Sequence, residues 1–132
     1  MKKLLLLSGL IMVFGLLAQA QSSQRVSAKL FYSLSQKHPE ALILDVRPMA
    51  KYQRYRLDRS ILAATKEDLK RVVKKVDRSD TIFVYCEKEL RSGPAVEILD
   101  SLGYTNVYEL KGGLISWRRN GLPLDDKPLL EK

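Results

Sequence analysis

One cysteine and one histidine are all that 132 residues hold of two side chains central to redox, acid–base and metal chemistry. Cys86 has no second cysteine to pair with, so no internal disulfide forms and the fold must stand on packing. A disulfide oxidoreductase, which needs a thiol to resolve its mixed disulfide, is disfavoured for the same reason. One Cys and one His cannot close a zinc shell, so no metal site is expected, and no cofactor is expected either. His38 stands just before Pro39, where a helix must end, and reads as a surface turn residue rather than a general base. Acidic residues are also short, 15 against 23 basic ones, for a formal net charge of +8. The basic excess lies at 47–59 and 66–78 with acids interleaved, and no aromatic–basic alternation marks a single-strand groove. These stretches read as solvated helix faces with a weak pull on anionic substrates, and nucleic acid is not an expected partner.

The long apolar run lies at the N-terminus. Lys2 and Lys3 precede an apolar stretch at 4–17, and Ala18-Gln19-Ala20 supplies a small-x-small cleavage site. This reads as a signal peptide over 1–20, giving a periplasmic or secreted chain that starts at Gln21. The run is short for a membrane span of ~20 residues, so no stable membrane insertion is expected after cleavage. Removing the two lysines takes the charge from +8 to +6. The remainder divides into a loose tail at 21–25, one domain at 26–124 and a C-terminal tail at 125–132.

Strand and helix patterns alternate through that domain. Residues 26–28 read as a short edge strand, followed by a helix capped by Ser27 with Leu30, Phe31 and Leu34 on its buried side. The near-continuous apolar run at 41–46 suits a strand covered on both faces. A weaker strand falls at 60–63, and a helix at 66–76 with Thr65 as its cap. A strand at 81–85 leads to Cys86, a helix runs on to Leu102, a strand falls near 106–110, and a last helix covers 113–120. Such alternation predicts an α/β domain with a mostly parallel sheet and helices on both faces.

Cys86 closes the strand Thr81-Ile82-Phe83-Val84-Tyr85 and opens the loop Cys86-Glu87-Lys88-Glu89-Leu90-Arg91, with a helix starting near Ser92. Backbone N–H groups, a helix N-terminus and a guanidinium all favour an anion there, so a reactive thiolate is expected. A lone buried cysteine is often only packing; Arg91 and the helix start tilt the reading towards a nucleophile. Arg91 serves as the fixed charge, Lys88 as an adaptable cation, and the N–H groups of 87–91 as a cradle for sulfur and an incoming anion. Ser92 is expected to cap the helix. Asp45 and Arg47, at the C-terminal end of a central strand, are expected to support neighbouring loops by charge-assisted hydrogen bonds.

The Cys-x4-Arg-Ser pattern between strand and helix resembles the active-site loop of the rhodanese family of sulfurtransferases. Three further segments agree in order: Leu42-Ile43-Leu44-Asp45-Val46-Arg47; Gly112-Gly113 with Trp117; and Gly121-Leu122-Pro123. Together they span about 26–124. The resemblance implies five parallel strands and a sulfurtransferase that moves sulfane sulfur through a persulfide on Cys86, with Glu87, Lys88, Glu89, Leu90 and Arg91 as the substrate-binding loop. It also implies as partners a small sulfane-sulfur donor and a thiol or cyanide-like acceptor, with a protein acceptor as a further option.

The chain departs from the family pattern at several points. Glu89 replaces the family's glycine, Lys51 replaces the acid before Tyr52, and Tyr55-Arg56-Leu57-Asp58-Arg59-Ser60 replaces a Gly-His-Ile-x-Gly-Ala stretch. Glu87 and Glu89 are expected to oppose the cationic cradle and to disfavour a dianionic donor such as thiosulfate. A rhodanese-like binding or sensing module with little turnover is the alternative function. A Cys-dependent phosphatase is disfavoured, because such loops place five residues between Cys and Arg, and this one places four.

Overall fold

The computed structural model describes residues 23–130, so the signal peptide expected at 1–20 lies outside the described residues. The elements run β1 (Ser23–Val26), α1 (Ala28–Lys37), β2 (Leu42–Asp45), α2 (Met49–Arg54), β3 (Ile61–Leu62), α3 (Lys66–Val73), β4 (Ile82–Tyr85), α4 (Ser92–Ser101), β5 (Val107–Leu110) and α5 (Gly113–Arg119). The five strands form one sheet in the order β1-β5-β4-β2-β3, and every neighbouring pair is parallel. The expected α/β architecture is therefore present, with β4 in the middle.

Parallel strands need cover on both faces, and the alternation along β4 shows which helices supply it. Ile82, Val84 and Cys86 face α3 and α4, packing with Leu69, Val73, Val96 and Leu99. Phe83 and Tyr85 face the other way, into an aromatic layer with Phe31 of α1 and Trp117 of α5. Phe31 meets both Phe83 and Trp117 edge-on, at centroid distances of 5.0 and 6.0 Å. Thr65 caps α3 by accepting the Asp68 N–H at 3.0 Å, and Ser27 caps α1 through the Leu30 N–H.

Several boundaries differ from the sequence reading. Residues 23–25 are not a loose tail, and the edge strand lies at 23–26 rather than 26–28. Ser23–Val26 pairs in register with Val107–Leu110, which satisfies backbone groups that β5 would otherwise leave open. Its Ser-Gln-Arg-Val sequence hides the strand because only Val26 is buried. Leu30 is exposed, since the buried face of α1 is set by Ala28, Phe31 and Ser35. α3 ends at Val73, and a turn from Val73 carries Val76 back against the core. The C-terminal segment is anchored at its start: Asp125 and Arg56 exchange two backbone hydrogen bonds and an ion pair at 3.1 Å.

Candidate active site

Cys86 follows the C-terminal end of the central strand, where open α/β sheets place their sites. The loop that continues from it is fixed through its carbonyls. The Leu114 N–H of α5 donates to the Cys86 carbonyl at 2.9 Å, and the Ile115 N–H to the Glu87 carbonyl at 3.3 Å. This close approach requires glycine at 113. A Cβ there would fall on the Glu87 carbonyl and lie 2.7 Å from the Cys86 carbonyl oxygen, and φ is +58°. With its carbonyls bound to α5, the loop turns amide hydrogens the other way. The Glu89 N–H donates to Cys86 Sγ at 3.0 Å; of the expected cradle at 87–91, this is the N–H that reaches the sulfur.

Above the sulfur lies a cavity of about 210 Å³ lined by Arg47, Pro48, Lys51, Cys86, Glu87, Lys88, Leu90 and Arg91. Lys88, Leu90 and Arg91 thus line one cavity together with Cys86 and Glu87. Leu90 is 82% exposed, an apolar side chain held at the mouth. Arg91, Lys88 and Lys51 have no carboxylate partner among the described residues, so the mouth is cationic.

The two loop carboxylates do not oppose that charge as expected. Glu87 pairs with Arg47 at 3.2 Å and also with Arg118, so it meets the cavity already neutralised. Glu89 does not line the cavity at all: its side chain turns away to Arg25 and to the Gly112 N–H. It sits at φ +79°, the left-handed conformation that explains why a glycine suits this position. Only its backbone belongs to the cradle. Ser92 is also not the cap it was expected to be. It is the first residue of α4, fully buried, and its hydroxyl lies 3.5 Å from Cys86 Sγ and 3.2 Å from Glu109 Oε1.

Asp45 and Arg47 form the floor beside the cavity. The Arg47 guanidinium, 1% exposed, donates to both Asp45 oxygens and to the Tyr55 carbonyl at 2.5 Å. Burial works against its charge, but Asp45, Tyr85 and Glu87 more than offset this and hold it protonated above the ordinary arginine value. Tyr85 donates its hydroxyl to Asp45 at 2.6 Å and accepts the Leu57 N–H. Burial, then the Asp45 charge, pushes that phenol well above its usual value, so it stays a donor. The acid missing at Lys51 is replaced as an Arg47 partner by Glu87. Tyr55 is packed between Arg47 and Arg118, whose guanidinium carbons lie 5.0 and 4.9 Å from its ring centre.

Residues 27–120 match the Rhodanese-like domain family. The chain belongs to that family. It is 42% identical to thiosulfate sulfurtransferase PspE of Escherichia coli K12 over 72 residues, 54% of this chain and 68% of that one. It is 29% identical to thiosulfate sulfurtransferase GlpE of Actinobacillus pleuropneumoniae over 85 residues, 64% of this chain and 78% of the relative. Among solved structures it resembles a rhodanese-related protein from Thermoplasma volcanium, with a TM-score of 0.67 and 27% identity over 79% of this chain and 99% of that one. The relatives' names support a sulfurtransferase-like enzyme.

Sequence reasoning gave no role to Arg25, Tyr55, Glu109 or Arg118. Glu109 did carry a signal, since alternation along β5 puts it on the same sheet face as Val107 and hence beside α4. Arg25 and Arg118 reach the loop through tertiary contacts alone, which no local pattern encodes.

Proposed function

We propose that this protein is an exported, cofactor-independent sulfurtransferase that carries sulfane sulfur on Cys86. The observation that carries the reading is a sulfur at the base of a cavity whose rim cations, Lys51, Lys88 and Arg91, lack carboxylate partners among the described residues. An anionic donor enters against those charges. The Cys86 thiolate attacks its outer sulfur, the donor's S–S bond breaks, and the leaving group departs with the electron pair, as sulfite when the donor is thiosulfate. Cys86 is left as a persulfide, with the Glu89 N–H beside it. A thiolate or cyanide-like acceptor then takes the outer sulfur and the Cys86 thiolate returns. Pairing of Glu87 and withdrawal of Glu89 leave room for a dianionic donor, so thiosulfate is the donor of choice.

Export rests on the charged, apolar and Ala-x-Ala succession at 1–20, and N-terminal sequencing of the mature chain should begin at Gln21. No helix among the described residues is long and apolar enough to cross a membrane. Intact-mass spectrometry after incubation with thiosulfate tests the chemistry: one sulfur atom should add to the wild type and none to Cys86→Ser. Turnover that survives in Cys86→Ser would sink the mechanism. Loading of sulfur without turnover would identify a sulfur-sensing module instead.

A further inference from the structure

Glu109 is a buried carboxylate that the sulfur chemistry above does not use. It is 5% exposed, on β5, opposite Val84 in the register with β4. Alternation places it on the face shared with Cys86, and the side chain that joins the two is Ser92. Cys86 Sγ lies 3.5 Å from Ser92 Oγ, and Ser92 Oγ lies 3.2 Å from Glu109 Oε1. A thiol that donates to the hydroxyl, and a hydroxyl that donates to the carboxylate, form a continuous path between two titrating groups. The same hydroxyl has the Glu89 carbonyl at 3.2 Å as its other acceptor.

We propose that Glu109 is a positioning residue that shares one proton with Cys86 through Ser92, so that the reactivity of the thiol stays level with pH across the neutral range. In the exchange the Cys86 S–H bond breaks and its electron pair stays on sulfur. Ser92 Oγ receives that proton and passes its own to Glu109 Oε1. The pair keeps a single negative charge throughout, and nothing is oxidised or reduced. This rests on Cys86 as the reacting thiol.

The surroundings of Glu109 favour its protonated form. Burial pushes the Glu109 carboxyl above the usual glutamate value, against the hydrogen bond from Ser92 and the charge of Arg25, while Glu89 pushes it further up. Arg25 of β1 stands 3.8 Å away but is bound to Glu89, and so neutralises Glu109 only in part. On the sulfur side the charged groups are Lys88 and Arg91 at the mouth and Glu87, already paired with Arg47 and Arg118. Two groups so linked titrate as a pair, in two macroscopic steps. Between those steps one proton is distributed over both, and the thiolate fraction does not change with pH.

The test is the rate of Cys86 alkylation by iodoacetamide against pH, which reads the thiol whether or not the protein turns over sulfur. The wild type should show two rises separated by a level interval. Glu109→Gln keeps the shape of the side chain but cannot take the proton. It should show a single rise, climbing about tenfold per pH unit through the interval where the wild type is level. Carbon NMR of labelled glutamate carboxyls gives the reciprocal reading on a protein with an intact Glu109. The Glu109 carboxyl should titrate in two steps in the wild type and in one step in Cys86→Ser. A single alkylation rise in the wild type, a level interval retained in Glu109→Gln, or a one-step Glu109 titration in the wild type would each overturn the proposal. Sulfur loading without a level interval would remove this inference and leave the proposed function standing; a level interval without sulfur loading would do the reverse.

Discussion

The floor of the site and its mouth lie within one loop's reach of each other and treat charge in opposite ways. On the floor every ionic group is matched: Arg47 with Asp45 and Glu87, Glu87 with Arg118, Glu89 with Arg25. At the mouth Lys51, Lys88 and Arg91 line the cavity without a carboxylate. Buried charges must be paired because desolvation penalises them heavily, whereas exposed cations are tolerated alone and remain available to a ligand. Under the proposed function the floor carries the geometry and the mouth carries the recognition. Substitutions on the floor should appear in stability, and substitutions at the mouth in rate.

The largest effect is expected from breaking the floor. Arg47→Met removes the guanidinium and leaves Asp45, which is fully buried, with Tyr85 and the Arg47 N–H as its donors. Removing one partner of a buried ion pair costs about 3–5 kcal/mol, because the other charge stays desolvated. Urea unfolding should show a loss of that size. A change below ~1 kcal/mol would mean that the floor tolerates an unpaired carboxylate, and the division between floor and mouth would fail.

The mouth should respond in the complementary way. Arg91→Ala removes a cation next to the cavity without breaking an ion pair. Losing one donor aimed at developing charge costs ~10²-fold or more in rate, so kcat/KM for thiosulfate should fall by about that factor. Stability should stay within ~0.5 kcal/mol of the wild type, because Arg91, although it is the N-cap residue of α4, is exposed and makes no capping hydrogen bond through its side chain. A stability loss as large as that of Arg47→Met would show Arg91 to be structural.

Much of this was legible in the sequence. The alternation of apolar runs gave the sheet and its helices, and the Cys-to-Arg spacing gave the loop, because both are local patterns. The long-range partners were not. The charges of Glu87 and Glu89 suggest repulsion of an anion when counted along the chain, yet each is matched by an arginine distant in sequence, Arg118 and Arg25. β1 was hidden because an edge strand with one buried residue has no apolar signature. Two of the three positions where the chain replaces a family glycine, Arg59 and Glu89, behave alike. Both keep a left-handed backbone, and in both the side chain is tied down: Arg59 to the carbonyls of Ser35 and Pro39, Glu89 to Arg25 and Gly112. The anchoring contacts hold a conformation that the residue type disfavours.

Glu89 gives the smallest effect and separates those two contributions. Glu89→Ala removes the anchor and keeps a Cβ at φ +79°, whereas Glu89→Gly removes the anchor and the strain together. The Ala variant should be less stable than the Gly variant by about 1 kcal/mol, the cost of a left-handed conformation for a residue with a Cβ. Acid resolves the anchor itself. Burial raises the Glu89 carboxyl, but the hydrogen bonds from Arg25 and Gly112, with the charges of Arg25 and Lys111, outweigh it and hold the group below its ordinary value of 4.5. A carboxylate lowered in the folded state stabilises above its unfolded value and ceases to do so as pH falls through the lowered one. Urea midpoints taken from neutral pH down through 4.5 should therefore show the Ala variant approaching the wild type as the medium turns acid, and the Gly variant rising relative to the wild type by the same amount, with the gap between Ala and Gly unchanged. Because Glu89 lies outside the cavity, both variants should also keep the wild-type ratio of rates between thiosulfate and a monoanionic donor. A selective gain with thiosulfate in Glu89→Gly would put the carboxylate back at the mouth and erase the contrast with Arg91.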